Sequence, residues 1–380
     1  MKKYLFVLFL GALCAFLFQK RQKDFSESAL YKTLSQEDFG PLNDDRRLFI
    51  IAGMDYIPQE LIEIFESISG IEVVMDIFDS NDILEAKLLA GEVKYDIVFP
   101  TAWPHFSRQL KAEIYQKLDK NRIDMSCFDE DILKRLAEYD IDNSYAIPFQ
   151  FGISGIGMNE KLVEQLARNA PKDSLSIIFD PANAKKLSKH RISVYESPDE
   201  LFPATLAYLG LNPESEKEED IIKAAEHLKK IRPYIAKFSS FGFEDLACGN
   251  ACAVLGTSGD ILKVRRDNSN PNIKFFFPRE GAPLWVDVAA IPIGASHINN
   301  IYAFFKFLFH PMVIAEVTNV TSRANAVTKA TQYVNENLKN DPNVYPDRNI
   351  RKKCYIEKPL SSNLETLKTR LLSKIKAMDN

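Results

Sequence analysis

The feature that most constrains this chain is a regular alternation of short apolar runs with amphipathic segments, which begins near residue 47. The apolar runs have the composition of buried strands, and they lie at 48–52, 71–77 and 95–99. The segments between them carry apolar residues at helical spacing, and each ends at a glycine, Gly70 or Gly91. Pro58 opens the first predicted helix, and Ser80 supplies capping chemistry for the second. Strands that alternate with helices predict a parallel sheet covered by helices on both faces.

A second α/β unit follows the run Tyr145-Ala-Ile-Pro-Phe149. Its predicted strands are 191–195, 253–256, 273–277 and 286–291, with a turn at Gly281 before the last. Its predicted helices are 198–209, 219–231 and 300–309, and a polar helical region closes the chain. Because single cores stop growing near about 250–300 residues, a chain of 380 residues favours two α/β domains.

Residues 1–24 have the pattern of an export segment. Lys2 and Lys3 precede an apolar stretch, residues 4–18, and a basic run follows it. The stretch is shorter than the about 20 residues of a spanning helix, which favours a signal peptide. Gly11-Ala12-Leu13-Cys14 resembles a lipoprotein box, and the basic run suits an uncleaved anchor, so release, lipidation and anchoring stay open. We expect a periplasmic protein, free or held at the inner membrane, with residues 25–45 as a polar tether.

The net charge of −4 conceals an asymmetry along the chain. Residues 1–23 contain five basic residues and no acidic one, so the rest of the chain carries −9, five charges below the total. An acidic body argues against nonspecific binding to nucleic acid and favours a cationic or neutral partner.

The sequence contains no complete motif for catalysis or for a cofactor. Gly152-Ile-Ser-Gly155 lacks the last glycine of a nucleophile elbow, and Gly256-Thr-Ser-Gly259 lacks the ending of a phosphate loop. The five histidines are scattered, and Cys248 and Cys252 have no further ligand at zinc spacing. A carboxylate pair acting as acid and base is the enzymatic alternative that stays open. We expect no enzyme, no cofactor and no metal, and four later cysteines that are packed thiols or form one or two disulfides.

Aromatic and acidic residues cluster where the predicted strands end. In open α/β sheets a ligand lies beyond the carboxyl ends of the strands. The segments at those ends are 53–56, 101–103, 196–200, 257–260 and 285–287, and they contain both tryptophans of the chain. Rings and carboxylates together stabilise an ammonium group by cation–π attraction and charge-assisted hydrogen bonds.

From about Arg46 to the C-terminus the chain resembles the periplasmic polyamine-binding proteins of ABC transporters, the putrescine- and spermidine-binding group. The resemblance rests on an ordered series of segments spread over more than 300 residues. They include Met54-Asp-Tyr56-Ile-Pro58, Tyr95-Asp-Ile-Val-Phe-Pro100, Gly155-Ile-Gly157-Met-Asn159, Asp199-Glu200-Leu-Phe202, Ile231-Arg-Pro233, Gly259-Asp260, Pro278-Arg-Glu-Gly281-Ala and Trp285-Val-Asp287-Val.

The resemblance implies a type II periplasmic-binding-protein fold, with two doubly wound α/β lobes, a hinge and a central ligand cleft. It implies lobe 1 at 46–150 and 286–320, and lobe 2 at 151–285 and 321–380. The implied function is that of a monomeric solute-binding component of an ABC importer, which captures a polyamine and delivers it to the permease subunits. A membrane-anchored sensor with the same fold is the alternative.

The resemblance also implies a ligand-binding set, in which rings enclose the methylene chain and acids neutralise the ammonium groups. The matched residues are Asp55, Tyr56, Trp103, Glu200, Asp260, Trp285 and Asp287. Four positions depart from the family: Gly53 and Thr257 replace tryptophans, Met54 replaces a small polar residue, and Arg323 replaces an aromatic. Arg323 either pairs with Asp260 or Asp287 and cancels that acid, or holds a ligand carboxylate. The second case implies altered specificity, toward an amino acid or another amino/carboxylate solute.

Overall fold

The computed structural model of the protein describes residues 29–43, 45–91, 94–356 and 360–378. The predicted export segment, residues 1–24, lies outside the described residues. The described strands are β1 (Arg47–Gly53), β2 (Glu72–Phe78), β3 (Ile97–Val98), β4 (Ala146–Asn159), β5 (Ile192–Val194), β6 (Lys237–Phe238), β7 (Ala253–Thr257), β8 (Ile273–Phe276), β9 (Ala282–Ala290), β10 (Ala324–Asn325) and β11 (Cys354–Tyr355).

The described α-helices are α1 (Ala29–Leu34), α2 (Gln59–Ser69), α3 (Asn81–Ala90), α4 (Ser107–Lys111), α5 (Glu130–Leu136), α6 (Glu160–Ala167), α7 (Ser176–Phe179), α8 (Pro181–Leu187), α9 (Pro198–Tyr208), α10 (Glu218–Ile231), α11 (Gly242–Ala247), α12 (Ser258–Asp267), α13 (Ile298–Leu308), α14 (Pro311–Thr321), α15 (Glu336–Lys339), α16 (Arg348–Lys353) and α17 (Ser362–Lys376). Among these, no single helix is long and apolar enough to cross a membrane; α13 and α14 reach such a length only together, and they are bent by 70°.

The ends of α2 and α3 follow from local chemistry and confirm the predicted boundaries. Ser80 accepts a hydrogen bond from the backbone N–H of Ile83, which caps α3. Gly70 and Gly91 have φ angles of 68° and 63°, a left-handed conformation that glycine adopts without steric cost.

Two sheets share one long strand, β4. The first half of β4 pairs with β9 in a sheet of order β2-β1-β3-β9-β4, which forms the N-terminal lobe. The second half pairs with β7 and β8, and the order β4-β7-β5-β6 forms the C-terminal lobe. The predicted parallel pairing holds for β1 with β2 and β3, and for β5 with β6 and β7. It is wrong at the centre, because β4 and β9 run antiparallel to each other and to their inner neighbours, β7 and β3.

The C-terminal part of the chain contacts both sheets, and the placement of 321–380 in lobe 2 stays a prediction. Val327 and Cys354 lie in the larger apolar core, which contains residues of β1, β3 and β9 and extends to β7 and α12, and β10 pairs with the first half of β4. Leu372 and Ile375 of α17 pack instead in the core of the C-terminal lobe.

The described part of the predicted tether packs on the N-terminal lobe. Leu34 is 1% exposed and lies in that lobe's core. The side chain of Asn300, fully buried in α13, accepts from the backbone N–H of Asn43 at 2.9 Å. Its amide group donates to the carbonyl oxygens of Asp45 and Arg47, each at 2.9 Å. One buried side chain thus fixes the entry of the chain into β1.

All four cysteines in the described residues are free thiols, so the disulfides left open by the sequence are not formed. Burial raises the pKa of Cys252 and of Cys354 to about 12, and the Sγ atom of each donates to a backbone carbonyl. These thiols are packing groups.

Replacing Asn300 by alanine should destabilise the protein by about 2–4 kcal/mol, because three backbone groups lose their buried partner. Urea unfolding followed by circular dichroism measures this change, with Asn299→Ala as the neighbouring control. An Asn300→Ala midpoint equal to that of the control would show that residues 43–47 do not depend on this contact.

Candidate functional site

The lobes meet where β1, β3, β5 and β7 end, and four predicted site residues come together there. Tyr56 follows β1, and Asp260 lies in the first turn of α12, directly after β7. Asp287 lies within β9, and Arg323 precedes β10. Charge interactions link Asp287 to both Arg323 and Asp260, which places these side chains in one cluster. We call these four residues the cleft cluster.

Asp287 is the most buried acid of the cleft cluster, with 3% of its surface exposed. Its Oδ1 accepts a hydrogen bond from the Thr101 hydroxyl at 2.8 Å, and the Tyr56 hydroxyl is a further partner. Asn81 holds Thr101 in place through two hydrogen bonds of 3.0 and 3.1 Å. Burial raises the pKa of Asp287 to about 6, although Arg323 and the two hydroxyl groups act in the opposite direction.

The Tyr56 ring forms the wall of the site on the N-terminal lobe. It packs against Phe78 and Phe149, with ring centroids 6.2 and 6.1 Å away. A Cβ atom on Gly53 would lie 2.5 Å from the ring, so the lack of a side chain at Gly53 makes room for Tyr56. Burial, together with the nearby Asp287, raises the pKa of Tyr56 well above its usual range, which keeps the hydroxyl protonated as a donor.

Arg323 pairs with Asp260, one of the outcomes that the sequence left open. Its Nη2 donates to Asp260 Oδ1 at 2.7 Å, and the two side chains are only 15% and 20% exposed. Its guanidinium carbon lies 5.1 Å from the centroid of the Tyr56 ring. The second oxygen of Asp260 accepts from the Thr257 hydroxyl at 2.7 Å, so both carboxylate oxygens are occupied.

Trp285 lies two residues before Asp287 on β9, and therefore on the same face of the strand. Its partner on β4 is Gly152, where an added Cβ would lie 2.4 Å from the indole ring. The indole Nε1 is buried without a hydrogen-bond partner among the described residues. A large ring with an unused donor beside a buried acid suits the aromatic wall predicted from the sequence.

Glu200 lies on the other lobe, in the first turn of α9 after β5. Burial, together with the acidic neighbours Asp199 and Glu196, raises its pKa to about 7. Since β5 and β7 are parallel neighbours, Glu200 and Asp260 lie at the same edge of the sheet. The contacts of the described residues do not join Glu200 directly to the cleft cluster.

Asp55 and Trp103 have partners outside the cleft cluster. Asp55 is 59% exposed and accepts from the Lys263 ammonium group at 2.6 Å. Trp103 is 9% exposed, and it stacks on Tyr139 with centroids 6.0 Å apart. Among the described residues, neither makes a hydrogen bond, ion pair or ring contact with the cleft cluster.

One face of α12 joins the lobes through three charged residues spaced three apart. Asp260 binds Arg323, and Lys263 binds Asp55, across the boundary between the lobes. Arg266 donates to the carbonyl oxygens of Asn319 and Val320, at 3.2 and 2.8 Å, at the end of α14. The cleft is therefore closed in this structure.

Sequence reasoning missed Thr101, Asn81 and Gln150. Gln150 is fully buried, lies directly opposite Asp287 on β4, and keeps its Oε1 without a partner among the described residues. A single amide inside the apolar run 145–153 was the available signal for it. The roles of Thr101 and Asn81 depend on contacts between separate segments, and no local pattern marks them.

Two α/β lobes, a chain that passes repeatedly between them, and buried acids and rings in the closed cleft define a two-lobed binding protein. In the part of the chain that the structure describes, no group of three or more Asp, Glu, His or Cys residues forms a metal site. The chemistry available at the cleft is capture of a cationic group rather than catalysis.

Comparisons with known proteins agree with this class. The family model for bacterial extracellular solute-binding proteins matches residues 60–346. The putrescine-binding periplasmic protein SpuD of Pseudomonas aeruginosa (strain UCBPP-PA14) is 37% identical over 364 residues, 93% of this chain and 99% of that protein. The putrescine-binding periplasmic protein PotF of Escherichia coli (strain K12) is 35% identical over 342 residues, 88% of this chain and 92% of that protein.

A solved structure shows the same fold. The spermidine/putrescine ABC transporter substrate-binding protein PotD of Streptococcus pneumoniae superposes with a TM-score of 0.76 at 22% identity, over 87% of this chain and 98% of that one. The chain belongs to the bacterial extracellular solute-binding proteins. This membership confirms the predicted two-lobed fold, the periplasmic location and a role in binding rather than catalysis.

Replacing Glu200 by glutamine should stabilise the ligand-free protein at pH 8 and leave its stability at pH 4 unchanged. The pKa of Glu200 in the folded state, about 7, lies above its ordinary value, so its ionisation destabilises the fold as pH rises from about 4.5 to 7. Urea midpoints at the two pH values measure this, with the exposed Glu63→Gln as control. Equal shifts for both variants at pH 8 would contradict the assignment.

Proposed function

We propose that this protein is the periplasmic solute-binding component of an ABC importer, and that its ligand is a polyamine of the putrescine or spermidine type. It captures the polyamine in the cleft between the lobes and presents the closed form to the permease subunits in the inner membrane. It acts as a monomer and has no nucleic-acid partner. Asp287, Glu200, Trp285 and Tyr56 form the ligand site, and Asp260 with Arg323 closes one end of it.

The observation that carries this proposal is the state of Asp287. No Lys, Arg or His nitrogen of a described residue lies within 4.0 Å of its carboxylate, although the side chain is 3% exposed. A buried carboxylate without a paired cation is unfavourable, and this one keeps a pKa of about 6. An ammonium group of the ligand supplies the missing charge, and the rings of Tyr56 and Trp285 are suited to the methylene chain and the cation.

The sequence relatives support the choice of ligand. Both SpuD and PotF are named as putrescine-binding, and the likeness extends over nearly the whole of each protein. The acidic body of the chain favours the approach of a cation. The contacts of α12 with the N-terminal lobe support delivery, because they join the two lobes as a binding protein that presents a closed form requires.

Asp287→Asn should weaken putrescine binding by about 2–5 kcal/mol, roughly 30-fold or more, because the ammonium group loses its buried counter-charge. Calorimetry measures the affinity, with Trp285 fluorescence in a Trp103→Phe background as a second readout. Asp142→Asn is the control: Asp142 is exposed, and its left-handed backbone accepts asparagine. Unchanged putrescine affinity in Asp287→Asn would remove Asp287 from the site.

Putrescine affinity should rise between pH 5 and pH 8. The pKa values of Asp287 and Glu200 are about 6 and about 7, so at pH 5 both acids hold protons that an ammonium ligand must displace. Binding near pH 6.5 should release protons, which calorimetry detects as heats that depend on the ionisation enthalpy of the buffer. Heats that are independent of the buffer would show that neither acid receives the ligand. The Glu200→Gln variant should release fewer protons than the unmodified protein.

A further inference from the structure

Arg323 lies in the surroundings that hold a cationic ligand. A carboxylate oxygen of Asp260 is 2.7 Å from its Nη2, and the face of the Tyr56 ring is 5.1 Å from its guanidinium carbon. A carboxylate and an aromatic face are the two groups that stabilise an ammonium ion in a cleft. Arg323 belongs to the N-terminal lobe and Asp260 to the C-terminal lobe, so the pair spans the cleft as a bound cation would.

Residues that are neighbours of Arg323 in the fold hold its side chain in this position. A Cβ atom on Gly259 would lie 2.5 Å from Arg323 Cγ, so the stem of the arginine occupies the space left by that glycine. The backbone N–H of Arg323 donates to the Thr321 hydroxyl at 3.2 Å. Ser322, which precedes it, has a φ of 59°, so the chain turns sharply at the end of α14. These contacts fix the position of the Arg323 side chain in the cleft.

The pair removes one cation position from the site. Both oxygens of Asp260 are engaged, one by Arg323 and the other by the Thr257 hydroxyl. The Nη1 atom of Arg323 is buried and has no partner among the described residues, so this end of the cleft offers a ligand an N–H donor and no free carboxylate oxygen of Asp260. A ligand ammonium there would meet like charge at short range, which is unfavourable in a buried site. Asp287 and Glu200 are the acids left for the ligand.

We propose that Arg323 is a specificity-determining residue: a tethered cation that substitutes for one ammonium group and restricts the site to polyamines with two ammonium groups. This inference rests on the proposed function and adds the number of ammonium groups that the ligand carries. A diamine such as putrescine matches the two remaining acids. A triamine such as spermidine brings a third charge to the end of the site that Arg323 occupies.

Calorimetric titration with putrescine and with spermidine tests this inference on the unmodified protein and on Arg323→Gln and Arg323→Lys. The unmodified protein should bind putrescine more tightly than spermidine by about tenfold or more. Arg323→Gln frees Asp260 and should improve spermidine affinity relative to putrescine by about tenfold or more. Arg323→Lys keeps the charge and should keep the preference for putrescine.

The double variant Arg323→Gln/Asp260→Asn links the effect to the pair. It lacks the freed carboxylate, so the gain for spermidine should disappear. Thermal unfolding followed by circular dichroism checks that each variant is folded, and Arg323→Lys supplies a charged variant if Arg323→Gln unfolds.

Three outcomes would overturn the inference. Tighter binding of spermidine than of putrescine by the unmodified protein is the first, and an unchanged ratio in Arg323→Gln is the second. A titration with glycine and with 4-aminobutyrate provides the third, since binding that requires Arg323 would make it a ligand-carboxylate site. In the first two outcomes the protein still binds polyamines and the proposed function stands. Absence of polyamine binding in the unmodified protein and in every folded variant would overturn the proposed function as well.

Discussion

The fold and the site both depend on the pairing of β4 with β9. β4 has 14 residues, of which only the last is not buried, and it supplies a hydrogen-bonding edge to both lobes. The register shifts between Pro148 and Gln150, so Phe149 is an extra residue on that strand. Beyond the shift, Gln150 faces Asp287 and Gly152 faces Trp285. A slip of one residue would turn the acid and the indole to the opposite face of the sheet, so this register fixes the binding site.

The cleft holds acidic charge that the protein itself only partly neutralises. Asp260 is compensated by Arg323, whereas Asp287 and Glu200 keep raised pKa values. At Asp287 burial outweighs Arg323 and the two hydroxyl groups, and at Glu200 the acidic neighbours Asp199 and Glu196 add to burial. This imbalance makes the cleft a site for cations, since a ligand that brings positive charge relieves an existing cost. Arg323 also joins the two lobes, because it pairs with the acid at the start of α12. Lys263 and Arg266 extend that contact along one face of the helix.

The sequence predicts those parts of the structure that short-range chemistry decides. Gly70, Ser80 and Gly91 act within one helical turn, so the ends of α2 and α3 follow from them. The sequence does not predict the second half of β4, where Gly155 and Gly157 weaken the strand pattern. In the fold, Phe275 packs on Gly155 and Ile261 packs on Gly157. A Cβ atom at either glycine would lie within 2.6 Å of the side chain that packs on it.

Local patterns reach the candidate site only in part, and for the same reason. Strand ends point to Tyr56, Asp260 and Asp287, which lie together in the fold, and the resemblance to a family adds Arg323. No local sequence pattern identifies the partners of these residues. Asp55 binds Lys263, which is 208 positions away, and Thr101 binds Asp287 across 186 positions. Contacts of this range depend on the register of β4 and β9 and on the closure of the lobes.

Three glycines give the site its shape, and each lies beneath a different site side chain. Gly53 lies under Tyr56, Gly152 under Trp285 and Gly259 under Arg323, and an added Cβ would approach each of these side chains to within 2.4–2.5 Å. Gly53 replaces a tryptophan of the family, but its position is not left empty. The Tyr56 ring occupies the space beside it. Gly259 does the same for a charged side chain, in the first turn of α12. The space that admits Arg323 and the acid that binds it come from adjacent residues, Gly259 and Asp260. The arginine, the glycine and the acid thus act as one structural unit, and the charge that a ligand meets in this cleft is set by all three together.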